Sequence, residues 1–148
     1  MTREKYPFPQ VWLSIEICEA IYKAYKEVAQ KVGVEAPIPE FDTRYPNALE
    51  GVLGSVQYKS DTLNYDIKTT AAYYFVHFAK SQCFLDANKR LAVIFTNTFL
   101  RINGYRLTMP PWTLRDLAII VAKNKSLTVE YVVEQIDDLF HLLKLNNT

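Results

Sequence analysis

The sequence predicts an all-α protein, and three observations carry that prediction. Apolar residues recur at helical spacings of three and four along most of the chain. No alternating strand pattern of useful length occurs, and glycines and prolines fall where such helices would stop or start. At 148 residues the chain suits one compact domain and is short for two, so residues 1–148 read as a single domain of about six helices. A composition that is 49% hydrophobic and 22% charged is ordinary for a globular protein and excludes a disordered tail.

The elements follow in order. Val11, Ile15, Cys18, Tyr22, Tyr25, Ala29 and Val32 make one apolar face of a long helix, which Gly33 suits as its left-handed stop. Pro37 and Pro39 break the pattern, so residues 35–44 read as a loop. A shorter helix over residues 46–57 turns Leu49, Val52, Leu53 and Val56 inward. Gly51 and Gly54 weaken it by roughly 1 kcal/mol each relative to alanine, which close packing against a neighbour would explain. Residues 58–64 are polar without a helical stripe and read as a loop with short extended pieces. Residues 67–81 form a helix whose apolar side chains, Tyr73, Tyr74, Phe75 and Phe78 among them, occupy most of its circumference, so it is placed at the centre. Residues 88–103 are helical again, with Gly104 as cap, and Tyr105, Arg106 and Leu107 are extended ahead of Pro110 and Pro111. Helices over residues 113–124 and 129–145 complete the chain, the last capped by Thr128.

Bulk properties exclude several functions. A net charge of +1 gives no electrostatic sign of a nucleic-acid partner. The first residues, Met1-Thr2-Arg3-Glu4-Lys5-Tyr6-Pro7, carry charges where a signal peptide needs an apolar core, and no run reaches the roughly 20 apolar residues of a membrane span. The expected location is the cytoplasm, with no membrane and no direct nucleic-acid contact. Cys18 and Cys83 match no metal or redox spacing, and Cys18 reads as a small buried hydrophobe.

The chemistry-bearing stretch is Asp86-Ala87-Asn88-Lys89-Arg90, between the central helix and the start of the next. Unpaired backbone N–H groups and the positive dipole end make a helix start an anion site. Ala87 is small enough to let a ligand approach the backbone. The Asn88 amide both donates and accepts, Arg90 can grip two phosphate oxygens, and Lys89 adds a point charge. Asp86 offers the hard oxygen that Mg²⁺ prefers beside phosphates. The plain alternative is a capping aspartate followed by a solvated basic face. Two cations at a helix start oppose the dipole unless they meet an anion. The residues alone leave both readings open.

The longer run, Gln82-Cys83-Phe84-Leu85-Asp86-Ala87-Asn88-Lys89-Arg90, resembles the Fic/Doc (death-on-curing) motif, His-x-Phe-x-(Asp/Glu)-(Gly/Ala)-Asn-(Gly/Lys)-Arg. Its ending is similar to that of the short Doc toxins. Phe99-Leu100-Arg101-Ile102-Asn103-Gly104-Tyr105 resembles the segment that closes the motif helix there. Tyr45-Pro46-Asn47-Ala48-Leu49-Glu50-Gly51-Val52-Leu53 is similar to an upstream segment of the same proteins. The resemblance implies a Fic/Doc domain that binds ATP or another nucleotide with Mg²⁺ and transfers a phosphate-containing group to a protein hydroxyl. Fic enzymes usually transfer AMP. Doc binds the nucleotide in reverse and transfers the terminal phosphate to a threonine of elongation factor Tu, until an antitoxin peptide blocks the groove. Carried over, Asp86 would hold Mg²⁺, Ala87, Asn88 and Lys89 would bind phosphate, Arg90 would neutralise it, and Lys89 would assist. Phe84 would anchor the loop. The family's flap, which aligns a target peptide by strand addition, would fall near residues 57–64, with Gln57, Tyr58 and Leu63 bordering the groove.

Two positions depart from the pattern. Val93 stands where the longer Fic motif has a second arginine, which disfavours AMP transfer. Gln82 stands where the family has its catalytic histidine. An amide cannot take up the hydroxyl proton, so a term worth about 10²–10⁴ in rate should be lost, although Gln82 can still orient a hydroxyl. His77 lies five residues earlier, about 140° around a helix, and should point away. Cys83 reads as a packed side chain, and Glu50 and Asp66 reach the site only if the fold brings them. The expected function is a Doc-like toxin-antitoxin family protein with a phosphate-binding loop and impaired transfer. The alternatives are an inactive binding module for a partner or antitoxin protein, and a divergent transferase of another phosphate-containing group.

Overall fold

The computed structural model describes residues 6–33, 41, 48–81 and 88–145. Among them are six helices, α1 (Ile15–Val32), α2 (Ala48–Leu63), α3 (Ile67–Lys80), α4 (Asn88–Ile102), α5 (Pro111–Lys123) and α6 (Val129–Asp137). Two short strands, β1 (Tyr105–Leu107) and β2 (Leu142–Lys144), complete the described architecture. The all-α reading holds, with one small ribbon added.

Local chemistry sets the helix ends. Ser14 caps α1 by accepting from the Ile17 N–H, Asp66 caps α3 through Thr69, and Thr128 caps α6 through Tyr131. Gly33 ends α1 at φ 99° and Gly104 follows α4 at φ 86°, a region that L side chains rarely enter. Val11 lies before α1 and not on it. Its N–H and that of Gln10 donate to Asn103 Oδ1, while Asn103 Nδ2 donates to the Val11 carbonyl. These bonds pin the N-terminal segment to the end of α4.

α3 is the central element. Its residues from Thr70 to Val76, with Phe78 and Ala79, are buried. Phe78 meets Phe95 at 5.0 Å between ring centroids and Tyr74 meets Phe99 at 4.8 Å, so α3 and α4 run antiparallel. Each buried ring contributes roughly 1.5–3 kcal/mol, which holds the C-terminal end of α3 beside the N-terminal end of α4. Phe75 packs on Phe140 from the far side.

The structure corrects three expectations. Residues 57–63 are helical, not a loop or flap, because α2 runs to Leu63 and ends at Asn64 with φ 55°. The inward position there is Ser60, 3% exposed, which accepts a hydrogen bond from Thr70 Oγ1 at 2.9 Å. A buried serine leaves no apolar stripe to read. The backbone groups of residues 57–63 are spent within a helix, so they offer no strand edge to a peptide. Secondly, the last helix stops at Asp137. Phe140 and Leu142 are buried while Leu139 and Leu143 are exposed, a two-residue alternation that belongs to a strand. β2 pairs antiparallel with β1, Leu107 opposite Leu142, and His141 is exposed outside any helix. Thirdly, a Cβ built on Gly51 or Gly54 meets nothing within 4 Å among the described residues, so no close neighbour there explains either glycine. The expected start of α2 at residue 46 lies outside the described residues.

Candidate phosphate site at the start of the fourth helix

The end of α3 and the start of α4 frame the candidate site. α3 closes with the Ser81 N–H donating to the His77 carbonyl, and α4 opens at Asn88. Gln82, Cys83, Phe84, Leu85, Asp86 and Ala87 lie outside the described residues, as does the Asn88 side chain. Lys89 and Arg90 are described, and both are exposed in the first turn of α4.

Arg90 is positioned by another helix. Its Nη1 donates to the Tyr25 hydroxyl of α1 at 3.2 Å. α1 and α4 pack antiparallel, since Val11 meets Asn103 at one end and Tyr25 meets Arg90 near the other. The sequence places Tyr25 only on the apolar face of α1, and its spacing carries no sign of a polar partner. A planar guanidinium carries five N–H donors, a geometry that suits phosphate oxygens as well as a hydroxyl.

Candidate substitutes for the missing base lie elsewhere. His77 sits near Tyr73, with their rings 6.4 Å apart, on the side of α3 that faces Lys59 of α2 and Glu130 of α6. Phe78, one residue on, faces α4 instead. Burial, reinforced by the Lys59 cation, lowers the His77 pKa to about 4, and Glu130 opposes this only in part. His77 Nε2 is buried and has no hydrogen-bond partner among the described residues. His77 points away from α4, as its position on the helix predicts. Asp66 caps the opposite end of α3 from Ser81, roughly 20 Å along a helix of this length. Lys80 Nζ donates to the Asn124 carbonyl at 2.8 Å, which ties it to the end of α5. Glu50 is exposed in the first turn of α2. Gln57, Tyr58 and Leu63 are exposed on α2, with Tyr58 71% accessible.

Two side chains that belong to no sequence motif border Arg90. Trp112 and Arg115 of α5 line a cavity with Tyr25, Arg90, Val93 and Ile94. Among the described residues, no group of three or more His, Cys, Asp or Glu gathers to hold a metal, and no helix is long and apolar enough to cross a membrane.

Comparison with known families finds that the model of the Fic/DOC family matches residues 12–100, more than half of the chain. The matched span runs from just before α1 almost to the end of α4, and so includes the frame of the site. No curated protein matches the chain.

Proposed function

The chain belongs to the Fic/DOC family, and from that premise we propose that it is a Doc-like member holding the phosphates of a nucleotide at the start of α4. One observation carries this reading. Arg90 stands exposed in the first turn of α4 with its guanidinium steadied by Tyr25, at the helix end whose dipole favours an anion. Two adjacent cations, Lys89 and Arg90, oppose the helix dipole there, and a bound anion would offset that.

In this reading, Arg90 neutralises phosphate charge and Lys89 adds to it. The Asn88 side chain and the backbone of residues 87–89 supply donors. Asp86 is the metal ligand, and one carboxylate beside phosphate oxygens is the donor set that Mg²⁺ commonly takes. A bound Mg²⁺ would offset phosphate charge. The family's chemistry moves AMP- or phosphate-type groups to protein hydroxyls, and the target proposed here is a protein of the elongation factor Tu type, with an antitoxin protein as regulator and the cytoplasm as location.

Gln82 limits the reaction. The attacking hydroxyl must lose a proton as its oxygen bonds to phosphorus and the phosphorus–oxygen bond to the departing part of the nucleotide breaks, and an amide has no accessible basic form to receive that proton. Binding and orientation by Gln82 survive, but proton removal does not. A second reading, an inactive binding module, is favoured by the same residue.

Calorimetry with ATP and Mg²⁺ tests the proposal. The wild type is expected to bind, and Arg90→Ala to bind at least about tenfold more weakly, as loss of a charge-assisted contact would require. No binding, or binding indifferent to Arg90→Ala, would sink the nucleotide reading and leave the binding module.

A further inference from the structure

The cavity beside Arg90 has no task in phosphate chemistry. It measures about 280 Å³ and lies between α1, α4 and α5. Its walls are Val93 and Ile94 of α4, Tyr25 of α1 and Trp112 of α5, with the guanidinium-bearing side chains Arg90 and Arg115 alongside. That volume is near the lower limit for small-molecule sites, ~300–1,000 Å³, and too small for a large ligand to be enclosed whole.

The construction of its rim is unusual. Trp112 is 70% exposed in the first turn of α5. Pro110 is the N-cap of that helix and Pro111 its first residue, so two fixed φ angles hold the turn that presents the indole. A large aromatic so exposed forgoes most of its burial energy, and here it does so beside a cavity. Val93 is 7% exposed and supplies an apolar wall, while Arg90 stands at the start of α4, where the helix dipole also favours an anion. Anionic groups therefore belong on the Arg90 side, and a flat apolar group belongs between Val93 and Trp112.

We infer that this cavity seats the base of the bound nucleotide, stacked on Trp112 with Arg115 beside it, while the phosphates lie at Arg90. The inference rests on the nucleotide reading of the α4 site. An aromatic face with a neighbouring guanidinium is the chemistry that holds nucleobases by stacking and cation–π attraction. Stacking and cation–π attraction act on any π-face, so the pocket is expected to discriminate weakly between bases. Adenine and guanine nucleotides should bind within a few-fold of each other, because stacking tolerates any π-face.

The test titrates the full chain with ATP, GTP and inorganic triphosphate, each with Mg²⁺, and compares Trp112→Ala and Trp112→Phe with the wild type. Trp112 is exposed, so its removal leaves core packing intact. Trp112→Ala should weaken ATP and GTP by about tenfold and leave triphosphate unchanged, and Trp112→Phe should recover most of the loss. In a Trp12→Phe background, ATP should quench the remaining indole and triphosphate should not. Unchanged ATP affinity in Trp112→Ala, or an equal loss for triphosphate, overturns the base pocket while the phosphate site stands. Binding of neither ATP nor triphosphate by the wild type overturns the phosphate site, and the base pocket with it.

Discussion

His77 gives the fold a pH dependence whose size follows from its surroundings. Burial beside Lys59 lowers its pKa from 6.5 to about 4, so the native state refuses a proton that the unfolded chain accepts over that interval. The unfolded state then binds more protons, and stability falls as pH falls from 6.5 towards 4. At about 1.36 kcal/mol per pH unit, the full loss is about 3 kcal/mol, a large share of the ~5–15 kcal/mol that holds a typical domain. Two acids on α6 modify the profile in opposite directions. Burial raises the Asp137 pKa, which adds stability as its native form gains a proton. A hydrogen bond from Lys59 holds Glu130 below its usual range, so its small contribution is lost as pH falls. Urea unfolding of the wild type and His77→Gln between pH 7 and pH 4 isolates the histidine. The difference in stability between the two proteins should shift against the wild type by about 3 kcal/mol across the range, with unchanged m-values. A constant difference at every pH would refute the buried, neutral His77.

Two further perturbations probe the fold. Gly51→Ala and Gly54→Ala should each stabilise the protein by roughly 0.5–1 kcal/mol in thermal or urea unfolding, because both positions are helical with open space around the added Cβ; destabilisation would mean that an unseen neighbour approaches that face. Asn103→Ala removes four hydrogen bonds that join residues 10 and 11 and the Phe99 carbonyl to the end of α4. It should cost about 1–3 kcal/mol and speed amide exchange at Gln10 and Val11, and unchanged exchange would contradict the pinning role.

Most of the helical frame was legible because helices announce themselves by period and by caps. The aromatic face of α3, Gly33, Gly104 and Thr128 all lie where the sequence placed them. The failures share a cause: the residue that decided the structure had the wrong polarity or too short a context. Ser60 is buried against Thr70, so the second half of α2 shows no apolar stripe. Leu142 and Leu143 alternate over too few residues to outweigh the helical spacing of Val132, Val133 and Ile136. At the site, the motif pointed to Arg90, but nothing in the spacing linked it to Tyr25, some 65 positions earlier. Trp112 and Arg115 were equally silent, because only the packing of α5 brings them beside α4. Long-range partners of this kind carry no local period.

The division between binding and turnover rests on Gln82, and a transfer assay tests it directly. Labelled ATP, Mg²⁺ and an elongation factor Tu-type target should be incubated with the wild type and with Gln82→His. Restoring the base should raise transfer by about 10²–10⁴ over the wild type. A wild type that labels the target as fast as Gln82→His would contradict the claim that this chain has lost its base.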